Sequence, residues 1–377
     1  MTFKILSLDG GGMRGVLSAR ILKEIEGILA AQTGQKLHEY FDLIAGTSTG
    51  SILAGGIACQ ITANKLIDFY KEEGENIFLK SVRRQRGWRW LSRLTGNRAL
   101  YPNKPGEKGL AKVLMKRLIA PELGRCPAIG EINHPNLLIL AYDVLSRNTT
   151  WFTNNHGDNN RTWYDNIGLW AICCASASAP TYFPPYDLPF NADQYLPHID
   201  GGVSANSPEL AAIAHALLLN KDRPEFSLSD IAVFSIGTGK TTLPYTSAQV
   251  KKWGLLDWIR NLPHIFMDPS AEISVAISRQ ILESINAQRY LRLNFDLNER
   301  LKGERIPGRL REVGEPYNQY LEEETGKKIA LSEEIDNPEI CDDLILAAEC
   351  YLDRGQVAYN AETMPIRSAI QQFIEAN

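Results

Sequence analysis

The chain has 377 residues, a formal net charge of −4, and 44% hydrophobic and 22% charged residues. That composition is ordinary for one large or two modest folded domains and carries no general attraction to a nucleic acid polymer. Six cysteines without a C-x-x-C pair suggest neither a zinc site nor a redox motif, and no apolar signal-peptide region fits before Asp9. The expectation is therefore a soluble, cytoplasmic protein with reduced thiols, no metal and no cofactor. The uncharged run over residues 166–186 contains three prolines, so it is not expected to span a membrane.

In chain order, residues 3–8 read as a strand that stops at Asp9-Gly10-Gly11-Gly12-Met13-Arg14-Gly15. Leu17, Ile21, Ile25, Ile28 and Leu29 then recur at helical spacing, with Lys23, Glu24 and Glu26 among the polar positions. A second apolar run, Leu43-Ile44-Ala45, ends at Gly46-Thr47-Ser48-Thr49-Gly50, and Ile52, Leu53 and Ile57 begin another helix. Strand, glycine loop, helix, strand, glycine loop, helix is the pattern of a parallel α/β sheet.

Residues 64–80 read as helical and precede a stretch with Arg83, Arg84, Arg86, Trp88 and Trp90, continuing to Arg93 and Arg98. Arginine with interleaved tryptophan suits an anionic membrane surface, and equally a solvated basic loop. Helices are expected at residues 110–118, 163–175, 208–219 and 270–287, and strands at 136–144, 195–199, 231–236 and 289–295. Residues 298–336 are charged and weakly periodic and read as loops with a short helix. Residues 344–352 and 366–373 read as closing helices.

Four glycine loops are candidates for chemistry. Gly46-Thr47-Ser48-Thr49-Gly50 is G-x-S-x-G between a strand and a helix, the setting of a nucleophile elbow, where the turn projects the serine hydroxyl and glycines leave room for the backbone. An ordinary turn is the alternative. Gly10 to Gly15 matches the dinucleotide-binding fingerprint G-x-G-x-x-G. It is better read as an oxyanion loop, because the second strand runs into Ser48 instead of ending on an acidic residue, and Asp9 sets a carboxylate where a pyrophosphate would approach. Gly237-Thr238-Gly239-Lys240-Thr241 resembles the end of a P-loop, but Phe234 replaces the required glycine, so a turn bordering the site is the expectation. Asp200-Gly201-Gly202 follows a strand, and Asp200 is a candidate general base; an Asp-Gly turn is the plain alternative. Of the six histidines, His215 and His264 follow Asp200 as a triad would require, and His198 shares the strand parity of Asp200.

Asp9-Gly10-Gly11-Gly12-x-Arg14-Gly15, Gly46-Thr47-Ser48-Thr49-Gly50, Ser178-Ala179-Pro180-Thr181-Tyr182-Phe183-Pro184-Pro185 and Asp200-Gly201-Gly202 together resemble the patatin-like phospholipase family. The resemblance covers roughly the first 210 residues and implies a three-layer α/β/α fold with a mostly parallel central sheet. It also implies a Ser–Asp dyad without a catalytic histidine: Ser48 as nucleophile, Asp200 as base, and Gly10, Gly11, Gly12, Arg14 and Gly15 as the oxyanion loop. Family members often carry a second glycine directly after the elbow, where this chain has Ser51.

The expected layout is a catalytic part over residues 1–240, with its motifs between 8 and 202, and a C-terminal part over 241–377 that completes or packs on it. The expected activity is lipid acyl hydrolysis of the phospholipase A or lysophospholipase type through an acyl-serine intermediate. A membrane glycerolipid is then the substrate, with transient contact to the membrane surface through the Arg83–Trp90 stretch. Three alternatives stand beside it: an α/β-hydrolase-type esterase with a histidine base, a phospholipase effector activated by a small molecule such as a cyclic nucleotide, and a nucleotide-sensing or storage protein that uses the fold without turnover.

Overall fold

A computed structural model describes residues 2–83, 99–106, 109–157, 161–240, 246–296 and 335–377. Ten strands are described: β1 (Phe3–Leu8), β2 (Leu43–Thr47), β3 (Asn136–Asp143), β4 (Asn148–Thr153), β5 (Tyr186–Pro189), β6 (Tyr195–Asp200), β7 (Ile231–Ile236), β8 (Tyr290–Leu293), β9 (Gln356–Tyr359) and β10 (Glu362–Pro365). The first eight form one sheet in the order β5-β6-β3-β2-β1-β7-β8, with β4 on the free edge of β3. Strands β3, β2, β1, β7 and β8 run parallel, and β4, β5 and β6 add antiparallel pairs at one side.

The main helices are α1 (Gly15–Gln32), α2 (Thr49–Ala58), α3 (Ala63–Ile77), α4 (Leu110–Arg117), α5 (Leu169–Ser176), α6 (Gly202–Ala205), α7 (Glu209–Leu219), α8 (Leu255–Ile285), α9 (Cys341–Arg354) and α10 (Ile366–Ala376). They cover both sheet faces, making three layers. Leu6, Leu8, Ile44, Ile139 and Phe234 point into the larger core with α1, α2, α5, α9 and α10. Ile5, Leu43, Ala45, Leu138, Val233 and Tyr290, one residue out of step, face Ala212, Ile213 and Ala216 of α7 and Leu282 of α8. Burial on both faces is why these strands read as unbroken apolar runs rather than alternating ones. Among the described residues no helix is long and apolar enough to cross a membrane.

The structure departs from the sequence expectations in several places. The helix expected at 163–175 is confined to Leu169–Ser176, because the chain before it is held as loop by hydrogen bonds from Ile129 to Ile167 and from Gly130 to Asp165. The helix expected at 270–287 begins at Leu255 and runs through Pro263 and Pro269. Strands β4 and β5 and the β9–β10 hairpin were not anticipated. The hairpin turns on Asn360 and Ala361, both at positive φ (52° and 62°), without the glycine that usually marks such a turn. The basic stretch with Arg84, Arg86, Trp88 and Trp90 lies outside the described residues, as does most of 298–336; Arg83 closes a short helix, Lys80–Arg83.

Candidate active site

All five residues of β2 are buried, and the chain then turns sharply at Ser48, whose φ of 55° and ψ of −123° are sparsely populated for a residue with a side chain. The glycines on either side are sterically required. A Cβ on Gly46 would strike the Gly50 backbone, and one on Gly50 would strike the Leu8 carbonyl at the end of β1. The turn is pinned from the next layer. Ser48 N–H donates to Ser176 Oγ at 2.9 Å, and Ser176 Oγ donates to the Leu140 carbonyl at 2.6 Å. Ser176→Ala strands both buried backbone groups, so it should destabilise the fold by about 1–3 kcal/mol, read from the urea midpoint at unchanged slope.

Register explains how a residue 152 positions away reaches Ser48. Strand β4 pairs with β3 over Leu138–Asp143, so β2 and β6 share the opposite edge. On that edge β2 ends with Thr47 opposite Leu140, and β6, running the other way, ends with Asp200 opposite Ala141. The two strand ends meet head to head. Ser48 Oγ donates to Asp200 Oδ2 at 2.5 Å, and Asp200 Oδ1 accepts from Gly202 N–H at 2.7 Å. Gly201 has no Cβ to strike the Leu140 carbonyl. Asp200 is 3% exposed, and burial pushes its carboxyl up to about 6 against the opposing hydrogen bonds from Ser48 and Gly202.

The glycine loop borders the same point: a Cβ on Gly10 would sit 3.1 Å from Ser48 Cβ. Its amides can be accounted for one by one. Asp9 N–H donates to Ile236 O at 3.1 Å, Gly10 N–H to Asn206 O at 3.0 Å, Met13 N–H to Ile335 O at 2.8 Å, and Arg14 N–H to Gly11 O at 3.2 Å. Gly15 N–H turns back to Gly12 and Met13 in the short 3-10 turn Gly12–Arg14. Among the described residues, the Gly11 and Gly12 amides are left without an acceptor. Arg14 is half-buried at the end of that turn.

Neighbouring residues hold this loop. Thr238 Oγ1 donates to Gly10 O at 2.9 Å, which places the Gly237-Thr238-Gly239 turn against the loop rather than around a phosphate. The Asp9 carboxylate faces a buried arginine, with Arg292 Nη2 donating to Oδ2 at 2.5 Å and Nη1 to Oδ1 at 3.2 Å. A carboxylate so committed leaves no dinucleotide pyrophosphate site at this loop. A lone arginine in the strand Tyr290-Leu291-Arg292-Leu293 was the available signal for it, since buried charge demands a partner.

Beside Ser48 opens a narrow apolar pocket lined by Met13, Ile52, Phe69, Phe78, Phe183 and Ile335. Thr49, the residue after the serine, shares a 2.5 Å hydrogen bond with the buried Tyr70 hydroxyl there. Thr47 Oγ1 donates to the Ala205 carbonyl at 2.9 Å and ties the elbow to α6.

No histidine among the described side chains joins Ser48 and Asp200. His215 Nε2 pairs with Thr153 Oγ1 at 3.0 Å, and burial holds its imidazole down at about 4. His198 does not border the site as its parity suggested. It contacts the rings of Phe152 and Trp163 and bonds Thr150 Oγ1 at 3.0 Å. The His264 side chain lies outside the described set, although its backbone is within α8. Among the described residues no cluster of three or more His, Cys, Asp or Glu side chains is arranged to hold a metal ion.

A family model described as Patatin-like phospholipase matches residues 6–213. The chain is 29% identical over 313 residues to a Solanum tuberosum protein named Probable inactive patatin-3-Kuras 1, covering 77% of each. It is 29% identical over 285 residues to Patatin-like protein 3 of Arabidopsis thaliana, covering 68% of this chain and 63% of the relative. Among solved structures it is similar to human GIVD cytosolic phospholipase A2 in complex with methyl gamma-linolenyl fluorophosphonate, with a TM-score of 0.43 and 12% identity, over 100% of this chain and 58% of that one.

Proposed function

The chain belongs to the patatin-like phospholipase family, and from that premise we propose that it is a lipid acyl hydrolase whose nucleophile is Ser48 and whose general base is Asp200. The observation that carries this reading is the 2.5 Å hydrogen bond from Ser48 Oγ to a buried Asp200 carboxylate, beside two unengaged glycine amides and an apolar cavity. In the first half-reaction Asp200 Oδ2 takes the Ser48 proton as Oγ bonds to the ester carbonyl carbon of a glycerolipid. The carbonyl oxygen becomes an oxyanion, received by the Gly11 and Gly12 N–H groups in the loop that leads into α1. Collapse breaks the C–O bond, Asp200 returns the proton to the departing alkoxide, and a lysolipid or alcohol leaves. Water then repeats the sequence on the acyl-serine, with Asp200 accepting its proton and Ser48 restored. One carboxylate serves both steps.

The apolar cavity supports an acyl chain as the group held beside the serine, and a membrane glycerolipid as its source. Hydrolysis of mixed phospholipid vesicles and of p-nitrophenyl butyrate tests the activity. Mass spectrometry of protein treated with a fluorophosphonate tests the site. The expected adduct sits on the peptide bearing Ser48; an adduct on another serine, or no hydrolysis of either substrate, would overturn the reading.

The base must be ionised to work, and Asp200 is pushed up to about 6. The pH profile of kcat/KM should therefore be flat at pH 8 and fall tenfold per unit below about pH 6. A profile flat down to pH 4.5 would remove Asp200 from the role of base.

A further inference from the structure

We propose that Ile335, a residue outside the family-matched 6–213 segment, is a specificity-determining residue that limits the acyl groups the cavity accepts. The proposal rests on the hydrolase reading above. Ile335 lines the cavity together with Ser48, Met13, Phe78 and Phe183. Its main chain is fixed where it meets the glycine loop. The Ile335 carbonyl accepts the Met13 N–H at 2.8 Å, and Gly12, at a φ of 58°, carries no Cβ to strike the Ile335 carbonyl and Cβ.

The next residue supplies a second anchor. Asp336 is fully buried, and its carboxylate accepts the Tyr101 hydroxyl at 2.6 Å. The Tyr101 ring packs on Phe78 at 5.4 Å and on Phe183 at 5.7 Å, and these two pack on each other at 5.7 Å. Aromatic wall and isoleucine are thus one connected body, and the β-branched side chain has little rotamer freedom with which to yield. Truncating it opens space inside the wall. Enlarging it closes space, because the backbone behind it cannot retreat.

The test is kcat/KM for p-nitrophenyl esters from butyrate to palmitate with wild type, Ile335→Ala, Ile335→Trp and Tyr101→Phe. A newly accommodated methylene contributes about fourfold. The dodecanoate-to-butyrate ratio should therefore rise about tenfold in Ile335→Ala and fall in Ile335→Trp. Tyr101→Phe, which touches no acyl group but releases Asp336, should move the ratio in the direction of the alanine variant by a smaller factor. If Ile335→Ala fails to fold by circular dichroism, Ile335→Val takes its place with a shift of about fourfold. Ratios within twofold of wild type in folded, active variants would overturn the assignment of Ile335 alone. A wild-type protein that hydrolyses no ester and takes no fluorophosphonate at Ser48 would overturn the hydrolase reading, and this inference with it.

Discussion

Asp200→Asn should lower kcat for short and long acyl esters by about 10³-fold, the middle of the range for loss of a positioned acid–base group, and should leave a protein that is more stable than wild type. The substitution is nearly isosteric. Asn Oδ1 can still accept the Gly202 N–H that now reaches Asp200 Oδ1 at 2.7 Å. What disappears is the acceptor for the Ser48 proton, since an amide turned toward Oγ donates where the carboxylate accepted. Burst kinetics should separate the two halves of the reaction. Both acylation and deacylation slow, because the same group would take the proton from serine and from water. A variant retaining more than a tenth of wild-type kcat would mean that another group acts as base, and the His264 side chain would be the next to mutate.

The stability half follows from burial. The folded protein holds the Asp200 carboxyl up at about 6, against a reference of 3.8, with burial as the chief cause. A raised folded value means that the native state prefers the protonated form. Its stabilising contribution is present in full below about pH 4 and is lost as pH rises through about 6. At pH 8 the ionised group therefore burdens the fold by an amount on the order of 3 kcal/mol. Asparagine is neutral throughout. The melting temperature of Asp200→Asn should exceed that of wild type by a few degrees at pH 8, and the difference should shrink toward zero between pH 6 and pH 4. Equal melting curves at pH 8 would show that Asp200 is not strained by its surroundings.

The central strands were legible because burial on both faces leaves an uninterrupted apolar signature, as in Leu43–Thr47 and Ile231–Ile236. Strand β4 was not. Asn148–Thr153 lies on the free edge of β3, and Asn148, Thr149, Thr150 and Trp151 face solvent in whole or part, so no period stands out. The long helix α8 was half read because Pro263 and Pro269 signal a break that its backbone does not make.

In the site, Gly46, Gly50, Gly12 and Gly201 were recognisable by residue type, since each stands where a side chain would strike backbone. The meeting of Ser48 with Asp200 was reachable only by resemblance. It depends on β6 running antiparallel on the β3 edge that β2 vacates after Thr47, a register with no local trace in the sequence. Ser176, Asn206 and Ile335 were missed for a related reason. They act on backbone groups of a distant loop, through one hydroxyl and two carbonyls, and a carbonyl has no sequence signature.

Arg292 gives the largest expected effect on folding. Arg292→Met should destabilise the protein by about 3–5 kcal/mol, because it leaves charge buried without compensation. The arginine projects from β8 into the layer beneath α7, on the face that also carries Tyr290. It is bonded there to both Asp9 oxygens and, through Nη1, to Ser235 Oγ at 2.6 Å. Glu209, fully buried on α7, lies 3.9 Å from the same Nη1. Burial pushes Glu209 up to about 7 even though the guanidinium opposes the shift, so this carboxyl is partly protonated near neutrality. Asp9 depends on the arginine more directly, and it is the residue from which the glycine loop springs. Loss of its partner should therefore reach the loop as well as the fold. In Arg292→Met, kcat for p-nitrophenyl butyrate should fall well before the protein melts. The double variant Asp9→Asn, Arg292→Met removes the stranded charge, so it should recover most of the lost stability in urea titrations. If the double variant is no more stable than the single one, the lost free energy lies in the packing of the arginine stem, and the ion pair is not what holds the root of the loop.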